Sequence, residues 1–463
     1  MFDMRKHYIL IIFLFIIAIK LMIGYYSSPY DYYPDEFSYL TTGLSMAGYE
    51  TSTELDYRPP LLPAIYSILF RISTDWRIVK LVVPIFGILG IISLFLLTRK
   101  FFGEKIALIA SLLLALNWHF WWYSNQMLSD VPVASLMILC TYLFIKGRES
   151  GKYYWLSGIV LGLAFLMKYF MIFIIPVFVI YLFYTEKFSW LKNRNIWLAF
   201  LLFILILTPW LVYNQLTLGS PFSALQKQMI GNSFDTPVYF QGVSQQGYVW
   251  SVITSFGGVF FYPLMFLYQL SVLISLFLIC GLYLFLKSWN KNKSLILISI
   301  LIIFLGLLMT PLHDERYNVM LEPFLLIFVS IGIYETRKIR IKNFSIFPVV
   351  LVVSLISVSS ASPLIIVDKH FRLSAPEFSI PRIVNAYSEE IDTEQILEKV
   401  NGTLCTDRDI SGFGTYQKIS FLAKQKPLLG IKPDCKFYLS DKNNLTLEFV
   451  DSTETLYLYK LNG

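Results

Sequence analysis

The feature that most constrains this chain is a succession of apolar runs, each close to the length of a membrane crossing. Eleven can be drawn, roughly at 8–24, 78–98, 105–120, 131–146, 154–168, 170–184, 196–213, 262–286, 294–310, 318–334 and 344–361. A helix needs about 20 mostly apolar residues to cross a bilayer. Inside lipid the backbone must satisfy its own hydrogen bonds, so such runs fold as helices. Charged residues make up only 15% of the chain, against about 25% in soluble domains, which excludes a soluble enzyme. The 17% aromatic content excludes a disordered chain. The expectation is a polytopic α-helical membrane protein with about 11 transmembrane helices. Arg5 and Lys6 precede the first run as in a signal sequence. No small-residue cleavage site follows Ile23, so that run reads as a retained anchor.

Basic residues set the orientation, because they accumulate on the cytoplasmic side. With the N-terminus inside, eighteen Lys and Arg fall in cytoplasmic segments and seven in the opposite ones before the tail. The net charge of +7 is then largely a topology signal, and nucleic acid is not an expected partner. The protein is expected in the plasma membrane, with its C-terminus external. Residues 1–361 form the expected transmembrane domain. Residues 362–463 form a small external α/β domain, with a helix near 386–399 and strands near 403–406, 436–440 and 455–460. Cys405 and Cys435 lie there, where an oxidising compartment would permit a bridge; the sequence leaves their geometry open. Cys140 and Cys280 sit in apolar runs as small hydrophobes.

The polar residues of the external segments carry the functional information. The first external loop, 25–77, is too long for a connector, and its stretches 36–48 and 61–71 read as amphipathic helices lying in the interface. It contains Pro34-Asp35-Glu36-Phe37-Ser38-Tyr39 and Asp56-Tyr57-Arg58-Pro59-Pro60-Leu61. Asp35 can be a helix N-cap beside the helix dipole or a reactive carboxylate. Asp130, Lys168 and the cluster His313-Asp314-Glu315-Arg316-Tyr317 fall on the same side, and Glu322 enters the tenth run. Trp118, Trp121, Trp122 and Tyr123 read as an interfacial aromatic belt. One-sided polarity points to a single external cavity. A transporter would more often place ionisable groups near the midplane of two related halves, and it stays the alternative, as a carrier or flippase of a lipid-linked sugar.

The order of these elements resembles the GT-C class of membrane glycosyltransferases, within it the protein O-mannosyltransferase and aminoarabinose-transferase-like superfamily. Asp35-Glu36-Phe37-Ser38-Tyr39 is similar to that family's Asp-Glu-x-x-Tyr signature, and Arg58-Pro59-Pro60-Leu61 to its Lys/Arg-Pro-Pro-Leu element. Phe102-Gly103, Asp130-Val131-Pro132, Lys168-Tyr169, Pro209-Trp210, Gly219-Ser220-Pro221-Phe222 and Arg316-Tyr317 follow in the family's order. Leu321-Glu322-Pro323 departs from it by placing an acid where the family keeps an apolar residue. An oligosaccharyltransferase relative is disfavoured, because no Trp-Trp-Asp occurs in the tail.

The resemblance implies a polyprenyl- or dolichyl-phosphate sugar donor, a glycan, lipid or protein acceptor, and transfer on the external face; direct displacement with a single base would invert the anomeric centre, by analogy with inverting glycosidases. Asp35 is then the candidate base, with Glu36 beside it. Arg58, Arg316 and Lys168 are candidates for the donor phosphate, since a guanidinium fork matches phosphate oxygens. Tyr39, Tyr57, His313 and Tyr317 are candidate substrate contacts. A divalent ion on Asp35 and Asp130 stays open.

Overall fold

The computed structural model describes residues 15–22, 34–230, 247–309 and 314–359, apart from 17, 52, 342 and 343, together with short segments between 397 and 460. Most of the first apolar run, most of the expected helix near 386–399, and His313 lie outside the described residues.

Helix α1 (Pro34–Ala47) opens with proline and carries Asp35 and Glu36 in its first turn. Proline fits a helix start because its missing N–H is not needed there, and acids favour the positive end of the dipole. Helix α2 (Leu61–Phe70) follows the Pro59-Pro60 pair and packs on α1. It buries Leu62, Tyr66 and Phe70 and leaves Ile68 exposed. Neither is long enough to cross a bilayer.

The bundle continues with α3 (Val82–Phe102), α4 (Glu104–Leu116), α5 (Trp118–Ser124), α6 (Asp130–Gly147), α7 (Lys152–Met167), α8 (Ile174–Glu186) and α9 (Arg194–Leu218). After α10 (Ser223–Ile230) come α11 (Gly247–Lys287), α12 (Ser294–Leu308), α13 (Glu322–Glu335) and α14 (Phe347–Ser359). Among the described residues five helices are long and apolar enough to cross a membrane, or six if α4 and α5 count as one bent crossing. The protein is thus a multi-pass helical bundle.

Burial sorts the helices by role. In α6, 89% of the apolar window is buried, whereas in α9 the share is 17%. Trp197, Phe200, Leu201, Leu205 and Val212 of α9 are exposed, as suits a lipid-facing helix. Helix α6 packs on both α3 and α7, so it is the post around which the others stand. Its 18 residues span about 27 Å at 1.5 Å each, close to the hydrocarbon thickness of about 30 Å. Asp130 begins it, and Arg148 caps its far end. There Arg148 donates from Nη1 to Tyr181 Oη and Asn292 Oδ1, both at 2.8 Å, and pairs with Glu186 at 3.3 Å. The two poles of the bundle therefore hold two separate polar clusters.

Two backbone features shape the interior. Helices α4 and α5 meet at 59° because Asn117 leaves the helical region (φ −61, ψ 118) and caps α5, accepting the Phe120 N–H at 2.8 Å. Helix α11 is broken at Ser271, whose φ of 67° is non-helical. Helices α11 and α13 are in close contact through Gly281 and Gly332. A Cβ at Gly281 would overlap the Phe328 carbonyl oxygen, and one at Gly332 that of Phe277. Small residues at such crossings let backbones approach.

Beyond the bundle a short hairpin joins β1 (Arg340–Ile341) to β2 (Phe344–Ser345). The C-terminal region forms a five-stranded sheet of β3 (Leu404–Thr406), β4 (Leu428–Leu429), β5 (Phe437–Ser440), β6 (Glu448–Ser452) and β7 (Tyr457–Lys460), in the order β4-β3-β5-β7-β6. Its first three strands are parallel and the last two pairings antiparallel. Three of these strands match the sequence expectation. The two-residue β4 and the bulged β6 carry too little alternation to stand out. Cys435 is disulfide-bonded, and Cys140 and Cys280 are free.

Replacing Gly281 by valine is expected to force α11 off α13. Overpacking of this kind costs about 1–3 kcal/mol, so the detergent-solubilised variant should unfold at a measurably lower temperature, while Gly103→Ala, in open space, tests only backbone strain.

Candidate active site

Asp35 projects from the first turn of α1, and each of its oxygens is held by a different arginine. Arg58 Nη2 donates to Oδ1 at 2.7 Å, and Arg316 Nη1 donates to Oδ2 at 2.8 Å. The two arginines come from segments 258 residues apart (316 less 58). Asp35 is the more open partner, with its side chain 27% exposed against 9% for Arg58 and 12% for Arg316.

Each arginine is itself braced. Arg58 Nε donates to Glu54 Oε2 at 2.5 Å, and the Tyr57 hydroxyl donates to the same oxygen at 2.6 Å. The Glu54 N–H donates to Thr42 Oγ1 of α1 at 3.1 Å. The Arg58 guanidinium also lies 5.1 Å from the ring centres of both Tyr39 and Tyr57, within cation–π range. Arg316 belongs to a 3-10 turn, Glu315–Met320, that Asp314 caps by accepting the Arg316 N–H at 3.0 Å. The second Asp314 oxygen lies 3.1 Å from Arg316 Nε.

The electrostatics follow from these contacts. Burial alone would raise the Asp35 carboxyl, but Arg58 and Arg316 outweigh it and hold the group well below the usual carboxylate range. Burial would lower Arg58 and Arg316, and their carboxylate neighbours keep both firmly protonated. Burial pushes the Tyr57 phenol up, so it is a donor and not an anion.

A second pair stands beside the first. Asp130, with its side chain 3% exposed at the start of α6, pairs with Lys168, which ends α7 in extended backbone. Lys168 Nζ lies 4.5 Å from the Tyr317 ring centre, and Arg316 Cζ lies 5.2 Å from it, so Tyr317 separates the two pairs. The Tyr39 hydroxyl is 2.9 Å from Ser129 Oγ, next to Asp130. Asp35, Arg58, Tyr39, Tyr57, Asp130, Lys168, Arg316 and Tyr317 thus converge from four stretches of chain.

Glu36 is placed differently. It is fully buried, and its Oε1 accepts the Met127 N–H at 2.9 Å, which fastens α1 to the turn before α6. Helical geometry accounts for the split, since successive residues of a helix do not face the same way. Trp118 and Tyr123, read as an interfacial belt, are instead turned into the bundle by the 59° bend. Trp118 Nε1 donates to the Gln269 carbonyl at 3.1 Å, and the buried Tyr123 donates to Glu315 Oε1 at 3.3 Å.

A divalent ion needs several oxygen or nitrogen ligands free to face it. Asp35 and Asp130 each face a basic side chain, and among the described residues no three His, Cys, Asp or Glu side chains are grouped to hold a metal. Among the described residues the carboxylates therefore do not form a metal donor set.

Several members of the site are not evident from the sequence. Glu54 stands four residues before Arg58, a spacing that could have drawn attention to it. Asp314 could have been read as the cap of a short turn. His119, Gln269 and Asn318, all buried, carry no local signal.

Comparison with known proteins adds an independent line. Residues 57–213 match the family model for dolichyl-phosphate-mannose-protein mannosyltransferase. No curated protein matches the chain. Among solved structures the chain is similar to ArnT from Cupriavidus metallidurans bound to undecaprenyl phosphate, with 11% identity, 97% of each chain covered and a TM-score of 0.64. It is also similar to the oligosaccharyltransferase AglB from Archaeoglobus fulgidus in complex with an inhibitory peptide and a dolichol-phosphate. That match has 13% identity, covers 95% of this chain and 70% of the other, and has a TM-score of 0.55.

The Asp130–Lys168 pair makes a direct prediction. Lys168→Met strands a buried carboxylate and should destabilise the chain by about 3–5 kcal/mol. Adding Asp130→Asn should recover most of that loss, which thermal unfolding of the single and double variants would measure.

Proposed function

We propose that this chain, a membrane protein with the GT-C glycosyltransferase fold and a mannosyltransferase-family segment, transfers one sugar from a polyprenyl- or dolichyl-phosphate donor to an acceptor hydroxyl. The observation that carries the reading is the Asp35 carboxylate held by two buried arginines at one pole of an apolar bundle. The fold shared with a protein bound to undecaprenyl phosphate and with one bound to a dolichol-phosphate supports the donor class. The basic residues at the other pole support an external site, an internal N-terminus and about 11 crossings. Residues 362–463 then form an external domain.

In this reading the lipid tail stays in the bilayer and the sugar phosphate reaches the Asp35 pole. Arg58 and Arg316 turn part of their forks from Asp35 to the phosphate oxygens. The acceptor oxygen attacks the anomeric carbon, and the carbon–oxygen bond to the phosphate breaks. The electron pair leaves with the phosphate, a monoanion in the diester that departs as a dianion. The acceptor proton passes to Asp35. Direct displacement inverts the anomeric centre, as in single-displacement glycoside chemistry. Charge thus moves from Asp35 to the phosphate, between groups that the same two guanidiniums contact. Preorganised cations aimed at developing charge are commonly the largest catalytic contribution. Lys168 supplies a further cation beside Arg316. Tyr39, Tyr57 and Tyr317 line the sugar, and Glu36 sets the position of α1.

The clamp has a further effect on the base. While both arginines hold Asp35, its carboxylate is a weak proton acceptor. Phosphate binding draws them away and adds a negative charge nearby, and both changes raise the Asp35 carboxyl toward useful basicity.

Two outcomes are expected. Asp35→Asn should still bind donor lipid but lose about 10²–10⁴-fold in kcat, the usual contribution of a positioned base. Full transfer by this variant, or donor carried across sealed vesicles with its sugar intact, would overturn the reading. The depressed carboxyl of the free protein places the acid limb of kcat/KM for the donor at low pH. Its release in the complex shifts the acid limb of kcat to higher pH. Coincident limbs in the two pH profiles would show that the arginines never leave Asp35.

A further inference from the structure

A second polar cluster lies behind Arg316, wholly inside the bundle. Its members are His119 on α5, Gln269 beside the break in α11, Asn318 in the 3-10 turn that carries Arg316, and Glu322 at the start of α13. All four are completely buried. His119 Nδ1 lies 2.5 Å from Glu322 Oε1. The side-chain nitrogen of Gln269 lies 2.9 Å from His119 Nε2 and donates to the Glu315 carbonyl at 3.2 Å. The Gln269 side-chain oxygen accepts from Asn318 Nδ2 at 2.8 Å.

These contacts fix the orientation of Gln269. Its nitrogen must face the Glu315 carbonyl, which can only accept, and its oxygen must face the Asn318 amide nitrogen, which can only donate. Flipping the amide would set oxygen against oxygen and nitrogen against nitrogen. His119 Nε2 therefore accepts from Gln269, and the ring proton is left on Nδ1, the nitrogen beside Glu322. The imidazole is held in one tautomer by groups on three different elements.

The cluster grips the Arg316 turn on both sides of that residue. Gln269 bonds the backbone of Glu315, immediately before Arg316, and the side chain of Asn318, two residues after it. The break at Ser271 leaves Gln269 in a distorted stretch of α11, and Trp118 Nε1 satisfies its carbonyl at 3.1 Å. A non-glycine residue at φ 67° is strained and persists only where its surroundings hold it. Here they hold it two residues after Gln269, which orients the turn.

We propose that Gln269, oriented by the buried His119–Glu322 pair and Asn318, is the positioning residue that aims Arg316 at the donor phosphate. The inference rests on the function proposed above. It also gives a role to Glu322, the acid that departs from the family pattern.

The test measures binding of undecaprenyl phosphate to the full-length protein in lipid nanodiscs, together with thermal unfolding. Gln269→Met keeps the volume and removes both donor and acceptor. The double variant His119→Leu, Glu322→Leu removes the orienting pair without stranding a buried charge. Arg316→Lys reports the loss of the guanidinium fork itself. The proposal expects both network variants to stay folded at the assay temperature, Gln269→Met with some loss of thermal stability because it leaves buried polar groups unpaired, and to bind about tenfold more weakly there, as Arg316→Lys does. With donor substrate, the donor KM should rise while the acceptor KM stays constant. Wild-type affinity in Gln269→Met and in the double variant, with Arg316→Lys weakened, would overturn this inference alone. Loss of affinity only in step with loss of folding would also overturn it, as a merely structural role. If the wild-type protein binds no undecaprenyl phosphate, the functional reading fails and this inference with it.

Discussion

Everything at the functional pole depends on one arrangement, a carboxylate shared between two arginines in a place where water is scarce. Taking these three charges out of water is costly. The surrounding structure offsets that cost piece by piece. Glu54 and the rings of Tyr39 and Tyr57 brace Arg58, while Asp314 and Tyr317 brace Arg316. The first loop folds as two packed helices, and the first turn of α1 presents Asp35 to the arginines. Glu36 and Tyr39 then fasten α1 to the turn that begins α6.

The bundle supplies rigidity unevenly. Helix α6 is enclosed by its neighbours and delivers Asp130, while α9 turns most of its surface outward and ties itself inward through Trp210, which donates to the Tyr169 hydroxyl. Between these extremes, the bend at Asn117 and the break at Ser271 interrupt helices that would otherwise run straight past the site. Both interruptions release backbone groups and side chains toward the same buried volume. That volume holds the His119, Gln269, Asn318 and Glu322 cluster, so the irregular positions are tied to the polar pole.

Much of this was legible in the sequence, for reasons that differ by residue. Apolar run length gave the bundle, since hydrophobicity is read directly from composition along the chain. Asp35 and Arg58 stood out because each sits beside proline in an otherwise aromatic loop. Their pairing could not be read, because it depends on how Arg316, far along the chain, folds back. Lys168 and Asp130 were visible as isolated charges at helix ends, but not as partners. His119 lies within the run whose Trp118, Trp121, Trp122 and Tyr123 read as an aromatic belt, and only the 59° bend shows that its ring enters the interior. The C-terminal strands β4 and β6 were missed because two residues, or a bulged five, carry too little alternation to register.

In the resting arrangement the three cations described at the site each have a carboxylate: Arg58 has Asp35 and Glu54, Arg316 has Asp35 and Asp314, and Lys168 has Asp130. Such a site exerts little net pull on anions in the surrounding water. An inorganic phosphate or a nucleotide would have to break ion pairs without gaining enough in return. A phosphate tethered to a long isoprenoid arrives with its tail already held by the bilayer, which raises its local concentration at the pole far above that of any free anion. Under the proposed function the self-neutralised clamp acts as a filter without a steric gate, since it discriminates by where a phosphate comes from and not by its shape.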